Sequence, residues 1–305
     1  MIQSLNRREL LRRAALSSLA LSTLPVGTLA AQSSLPGAGE FVGKGNIRHS
    51  VAQWTYDFLT LEELCQVVNQ IGFSAIDLIG PEQWGILKAH NIDCSMCNGA
   101  EISLTEGWNR KELHGRLIQN YTAHIEMMAQ AGYNNLICFS GNRAGMDDES
   151  GLQNCAEGLQ QIMALAERHG VVVHMELFNS KVDHPDYMCD SSRWGIELCE
   201  RIGSPNFRLL YDIYHMQVQE GDVIRTIRDH HQWFGHYHTA GVPGRNEIDD
   251  TQELYYPAIM KEILTTGFDG YVAQEFIPRR AGPDGVRSDD ARVASLAQAV
   301  AICDI

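Results

Sequence analysis

Eight times along this chain, a short apolar or β-branched run is followed by a segment with helical periodicity, and that alternation limits the fold more than any other feature. The strand candidates are His49 to Trp54, Ala75 to Ile79, Ile92 to Met96, Leu136 to Phe139, Val171 to Leu177, Arg208 to Tyr211, Gly235 to Thr239 and Gly270 to Phe276. Helices are expected to begin near Leu61, Glu82, Arg110, Glu149, Ser191, Asp222, Leu254 and Asp290. Thr60 followed by Glu63 has the spacing of a capping box, and Gly72, Gly132, Gly170, Gly203 and Gly267 each stand where a helix gives way to the next strand. Strand, helix, glycine, strand is the pattern of parallel βαβ units. Eight such units in one continuous stretch predict a single (β/α)8 TIM barrel. A doubly wound open sheet would carry a glycine-rich phosphate loop after its first strand, and the run from His49 to Trp54 has none.

The barrel is expected to occupy residues 47 to 305, preceded by a flexible spacer at 32 to 46. Residues 1 to 31 read as a twin-arginine-type signal peptide. Arg7 and Arg8 precede Leu10 and Leu11, an apolar stretch runs from Ala14 to Leu29, and Ala30 and Ala31 close it. Polar and helix-breaking residues from Ser17 to Gly27 interrupt that stretch, so it is a poor membrane span and the mature form is expected to have none. A periplasmic or exported location follows as the expectation.

The formal charge of the 305-residue chain is -14; cleaving residues 1 to 31 removes four Arg and one Glu and takes it to -17. Such a surface repels nucleic-acid phosphate and anionic membrane, so the expected partner is a small molecule, with a homo-oligomer compatible. Eight cysteines are scattered through a chain too large to need disulfide staples. Cys94 and Cys97 form a CxxC without a second pair, and they are expected to be buried as small hydrophobes.

In a barrel the chemistry gathers at the C-terminal ends of the strands, and four strand ends here carry ionisable groups. They are Glu176 on the fifth strand, Asp212 on the sixth, His238 on the seventh and Glu275 on the eighth. A lone carboxylate in an apolar strand is most simply a salt-bridged core residue. Three of them on neighbouring strands repel one another, and a divalent cation resolves the repulsion. Three carboxylates with one imidazole suit Mn2+, Mg2+ or Co2+ better than a closed zinc site. His236 shares a strand face with His238, and the choice of His238 rests on its place nearer the strand end.

The runs Tyr211 to Gln217, Ile224 to Asp229 and Val242 to Arg245 resemble the hydroxypyruvate isomerase family, within the wider xylose-isomerase-like barrels, over roughly residues 48 to 303. The resemblance implies that Glu176, Asp212, His238 and Glu275 hold one divalent metal ion and that Glu176 and Glu275 also move the proton. It further implies that His215 and Arg245 contact substrate. The narrower family tends to have Gln where this chain has His238, as the ketose 3-epimerases of the wider group do not, and an export signal is unusual for it. The implied reaction is isomerisation through an enediolate, with hydroxypyruvate going to tartronate semialdehyde. Ketose 3-epimerisation or processing of a keto-sugar or keto-glycoside is the alternative, ahead of non-catalytic sugar binding. A related DNA-repair endonuclease is disfavoured by the charge. Arg143 follows strand four, and Asn179 and Lys181 follow strand five, so they are expected near the same mouth; Asp183 and His184 come soon after, where a loop role fits equally well.

Overall fold

The computed structural model describes residues 43–279 and 288–305. The proposed signal peptide, and most of the proposed spacer, lie outside the described residues. Eight parallel strands follow in chain order: β1 (Arg48–Val51), β2 (Ala75–Ile79), β3 (Asp93–Cys97), β4 (Asn135–Cys138), β5 (Val172–Glu176), β6 (Phe207–Asp212), β7 (Phe234–Thr239) and β8 (Tyr271–Gln274). Each strand pairs with its sequence neighbour, β1 pairs with β8, and a single parallel bridge between Ala52 and Asp77 brings β1 to β2. The result is the expected (β/α)8 barrel.

Helices α1 (Leu61–Ile71), α2 (Trp84–Ala89), α3 (His114–Ala131), α4 (Asp148–His169), α5 (Ser192–Ile202), α6 (Ile213–Gln219), α7 (Val223–His230), α8 (Tyr256–Thr265) and α9 (Asp289–Cys303) connect and flank the strands. In α1 the buried residues Leu61, Leu64, Cys65, Val68 and Ile71 recur at helical spacing and pack on the sheet. The Thr60 and Glu63 capping box forms in both directions, and Gly72 ends the helix at φ 101°, a conformation that costs any residue with a Cβ. Gly132, Gly170 and Gly203 close α3, α4 and α5 in the same left-handed way. Among the described residues, no helix is long and apolar enough to cross a membrane. All eight cysteines are buried and free, as expected, although Cys94 Sγ lies 3.5 Å from Cys97 Sγ.

Three departures from the sequence reading matter for the site. β1 stops at Val51, and a 3-10 turn at Gln53–Tyr56 swings Trp54 out of the strand. The seven-residue α6, absent from the expected helices, begins directly after β6, with the Asp212 carboxylate accepting the His215 N–H at 3.0 Å as its N-cap. Within β2, Leu78 has φ 62°, and the pairing with β3 shifts register on both sides of Asp77.

The barrel interior is polar over much of its height. Ser50, Asp77, Ser95, His174, His236 and His238 are all buried, and the rings of His174 and His236 lie 6.3 Å apart, those of His236 and His238 5.2 Å apart. At the mouth, the loop after β3 is pressed onto the end of β4: Trp108 N–H donates to Phe139 O at 3.2 Å and Asn109 N–H to Ser140 O at 2.9 Å. Gly107 makes this possible, because a Cβ there would stand 2.3 Å from Phe139 O and 2.5 Å from Gly141 N, both backbone atoms. Gly107→Ala is therefore expected to destabilise the fold by about 1–3 kcal/mol. Gly115→Ala, exposed in α3 with open space around its Cα, is expected to stabilise by up to about 1 kcal/mol. Urea unfolding of the two variants checks the contrast.

Candidate active site

Glu176 ends β5, Asp212 ends β6, His238 is the penultimate residue of β7, and Glu275 follows the last residue of β8. The barrel thus delivers four side chains to one end, and none is more than 3% exposed. One ligand atom from each lies within 4.8 Å of the others. His238 Nδ1 is the centre of the group, 2.6 Å from Glu275 Oε2, 3.3 Å from Glu176 Oε1 and 4.0 Å from Asp212 Oδ2.

Arg245 enters the same group from the loop after β7, where its own φ of 57° turns the side chain back over the barrel. Its Nη2 donates to Asp212 Oδ2 at 2.9 Å and also contacts Glu275 Oε2, while Nε donates to the Glu275 carbonyl at 3.2 Å. The guanidinium is thus spent on carboxylates of the protein itself. Nη1 lies 2.5 Å from His215 Nε2, and Asn179 Nδ2 lies 2.7 Å from His215 Nδ1. A neutral imidazole accepts at one nitrogen only, so His215 satisfies one of these two donors at a time. Burial, reinforced by Arg245, keeps His215 neutral by holding its pKa well below the usual histidine value.

Burial pushes the Glu176 carboxyl up to about 7, with Glu275 and Asp212 adding to the rise against the opposing pull of His238. Glu275 goes the other way, to about 2: burial raises it, but the charges of His238 and Arg245 and the hydrogen bond from Trp54 outweigh that. Asp212 is raised by burial, with Arg245 opposing. Two carboxylates at one mouth with opposite tendencies are an arrangement suited to moving a proton.

The donor set fits a hard divalent cation. Glu176 Oε1, Glu275 Oε2 and His238 Nδ1 converge in a buried cluster with Asp212, which is where the ligand atoms of a cation are expected to be found. Three carboxylates also outnumber the single guanidinium.

Next to this group opens a cavity of about 460 Å3. Glu176, His215, Arg245 and Glu275 line its polar end. Phe139, Phe178, His184 and Trp54 line much of the rest, with His184 stacked on Phe178 at a centroid distance of 4.1 Å and an interplanar angle of 13°. The loop at residues 98–104 forms a further wall.

The structure therefore gathers Glu176, Asp212, His238, Glu275, His215 and Arg245 at one place, and Asp183 and His184 line the cavity with them. Arg143 does not: it turns away to Asp148 and to Asp190, at 3.1 Å from the latter, because those carboxylates lie in the segments beside its own loop. Lys181 is likewise drawn off, donating to Gln219 O at 2.7 Å. Asn179 is buried behind His215 rather than facing the cavity. His236 stays deeper, with Nε2 3.2 Å from Asp77 Oδ1.

Two residues were not anticipated from the sequence. Trp54 Nε1 donates to Glu275 Oε1 at 2.6 Å. Asp77, completely buried, faces both His236 and His238, and its Oδ2 lies 2.8 Å from His238 Nε2. A carboxylate in the otherwise apolar run from Ala75 to Ile79 was the available signal.

Comparison with known proteins adds three kinds of finding. The family model described as a xylose isomerase-like TIM barrel matches residues 61–296. A 2-oxo-tetronate isomerase of Cupriavidus necator is 35% identical over 121 residues, 40% of this chain and 46% of that protein. The chain spans about half the length of the first curated relatives it matches. The hydroxypyruvate isomerase of Escherichia coli is matched over more of its length, 26% identical across 76% of this chain and 92% of that one. Among solved structures, a D-psicose 3-epimerase with D-tagatose from Clostridium cellulolyticum H10 superposes with a TM-score of 0.68 at 15% identity, over 85% of this chain and all of that one, a likeness of fold.

Removing the guanidinium leaves three buried carboxylates facing one imidazole. Arg245→Met is expected to destabilise the metal-free protein by about 3–5 kcal/mol, and added Mn2+ to raise its melting temperature more than it raises that of the wild type. Thermal melts of both proteins with and without Mn2+ test this.

Proposed function

Because the chain belongs to the xylose isomerase-like TIM barrel family, we propose that it is a metal-dependent isomerase that moves a proton between carbons next to a carbonyl, through an enediolate. The observation that carries this reading is the convergence of Glu176 and Glu275, from β5 and β8, on one point beside His238 Nδ1, with both residues lining the cavity. Glu176, Asp212, His238 and Glu275 hold the cation. Bound there, it supplies Lewis-acid polarisation of a carbonyl oxygen.

The chain's own groups do the rest. A glutamate oxygen takes the proton from the carbon bearing a hydroxyl, and the C–H electron pair moves to form the enediolate. For an isomerisation the same glutamate returns the proton to the neighbouring carbon while the hydroxyl proton passes to the former carbonyl oxygen, whereas return to the original carbon from the opposite face, by the second glutamate, gives an epimerisation. Trp54 donates to Glu275 Oε1 and so favours the orientation in which that carboxylate faces the cavity. His215, kept neutral, lines the polar end, and Arg245 would reach substrate oxygens there once a bound cation frees its guanidinium from Asp212 and Glu275.

Hydroxypyruvate is the first substrate reading, supported by the name of the Escherichia coli relative. A ketose or a keto-sugar is the second, favoured by one observation: a cavity of about 460 Å3 with an apolar wall is far larger than a three-carbon acid requires. Solvent deuterium incorporation, followed by NMR with Mn2+-loaded protein over hydroxypyruvate, 2-oxo-tetronate and small ketoses, decides between them. Exchange is expected with at least one, reduced about 100-fold or more in Glu275→Gln and in Glu176→Gln. Equal exchange in both variants would remove the glutamates from the chemistry, and no exchange with any of these compounds would favour a binding role.

A further inference from the structure

Asp77 takes no part in the chemistry just described, yet it is a carboxylate with no solvent exposure inside the barrel. Burying such a group costs several kcal/mol unless its oxygens are matched, so its surroundings report what it is there to meet. Oδ1 accepts the Ser95 hydroxyl at 2.5 Å and lies 3.2 Å from His236 Nε2. Oδ2 meets His238 Nε2 at 2.8 Å. The backbone is also arranged around this residue. Leu78 takes a left-handed conformation next to it, the β2 to β3 register shifts on both sides, and Asp77 forms the bridge to Ala52 at the seam between β1 and β2.

An ionised carboxylate can only accept, so the His238 nitrogen facing it must carry the proton. That leaves Nδ1, across the ring, as the nitrogen turned toward Glu176 and Glu275, 3.3 Å and 2.6 Å from their carboxylate oxygens, where a cation would take the place of a shared proton. We propose that Asp77 is a positioning residue that fixes His238 in the tautomer and ring orientation whose Nδ1 is the metal-ligand atom, and thereby sets the affinity of the site for a divalent cation. The inference rests on the cation reading of the site given above. Its physical basis is that a carboxylate behind a ligating imidazole orients the ring and makes the free nitrogen a better donor. Ser95, hydrogen-bonded in turn to Ser50, holds the carboxylate itself.

A cation lying between Asp77, His236 and His238 is the competing arrangement, since those three side chains also cluster. It is disfavoured because Asp77 is already engaged by Ser95 on one oxygen and by His238 on the other.

The test is calorimetric titration of the metal-free full chain with Mn2+, comparing wild type with Asp77→Asn, alongside the thermal midpoint of each metal-free protein. One equivalent is expected in both proteins, bound about 10- to 100-fold more weakly by the variant, with metal-free midpoints that do not account for the loss. Equal affinities would overturn the proposal. So would a second equivalent bound by the wild type and lost in Asp77→Asn, which would make Asp77 a ligand. Failure of the wild type to bind Mn2+ would instead defeat the cation reading, and the proposal with it. A second measurement needs no substitution: histidine-selective 15N NMR of the Zn2+-loaded wild type is expected to show His238 ligated through Nδ1 with a slowly exchanging proton on Nε2. Ligation through Nε2 would overturn the proposal as surely as equal affinities.

Discussion

Three almost completely buried carboxylates are held within one small volume, and the rest of the site is arranged around that charge. Glu176, Asp212 and Glu275 arrive from the ends of β5, β6 and β8, with His238 of β7 between the last two, so the barrel itself holds them together. In a region of low dielectric, such a group persists only if positive charge meets it. Arg245 and His238 meet part of it, the first through Asp212 and Glu275, the second through Glu275 and Glu176. Glu176 carries what remains, which is why burial dominates its ionisation while Glu275 stays charged. A divalent cation completes this balance with the ligand types it prefers.

The same constraint links layers of the molecule that are distant in sequence. His238 is tied on one side to the carboxylates at the mouth and on the other to Asp77 of β2. Asp77 leads through Ser95 to Ser50, so a polar chain crosses the barrel from β1 to β8. Glu275 is held at its other oxygen by Trp54, which reaches the site because β1 ends early in a 3-10 turn. Beyond this rigid end, the cavity changes character. Phe139, Phe178 and His184, stacked on one another, form an apolar wall that suits the apolar side of a sugar or a small organic acid.

Much of this was legible in the sequence, for identifiable reasons. The eight strands could be found because four of the helices end at a left-handed glycine, Gly72, Gly132, Gly170 and Gly203, and periodicity survives local irregularity. The four clustered side chains could be found because an acid or histidine at the end of an apolar strand is conspicuous, and the barrel turns strand ends into neighbours. Asp77 was not conspicuous in the same way. Its partners lie on β7, some 160 positions away, and pairing it with His236 and His238 requires the register shift at Leu78, which no local pattern encodes. Trp54 was absorbed into a strand because Ala52 and Gln53 give no turn signal, and α6 was missed because seven residues hold too few periods to stand out. Arg143 was expected at the mouth from its place after β4, but an exposed arginine goes to the nearest carboxylates, and Asp148 and Asp190 are nearer.

The central claim is that Glu176, Asp212, His238 and Glu275 together make one cation site. The most direct measurement is anomalous diffraction from crystals of the protein grown with Mn2+. The account predicts a single strong peak among these four side chains, with ligand oxygens and His238 Nδ1 at about 2.0–2.6 Å and the Arg245 guanidinium moved off Asp212 and Glu275. A peak elsewhere, or none at this position with Mn2+ in excess, would contradict it.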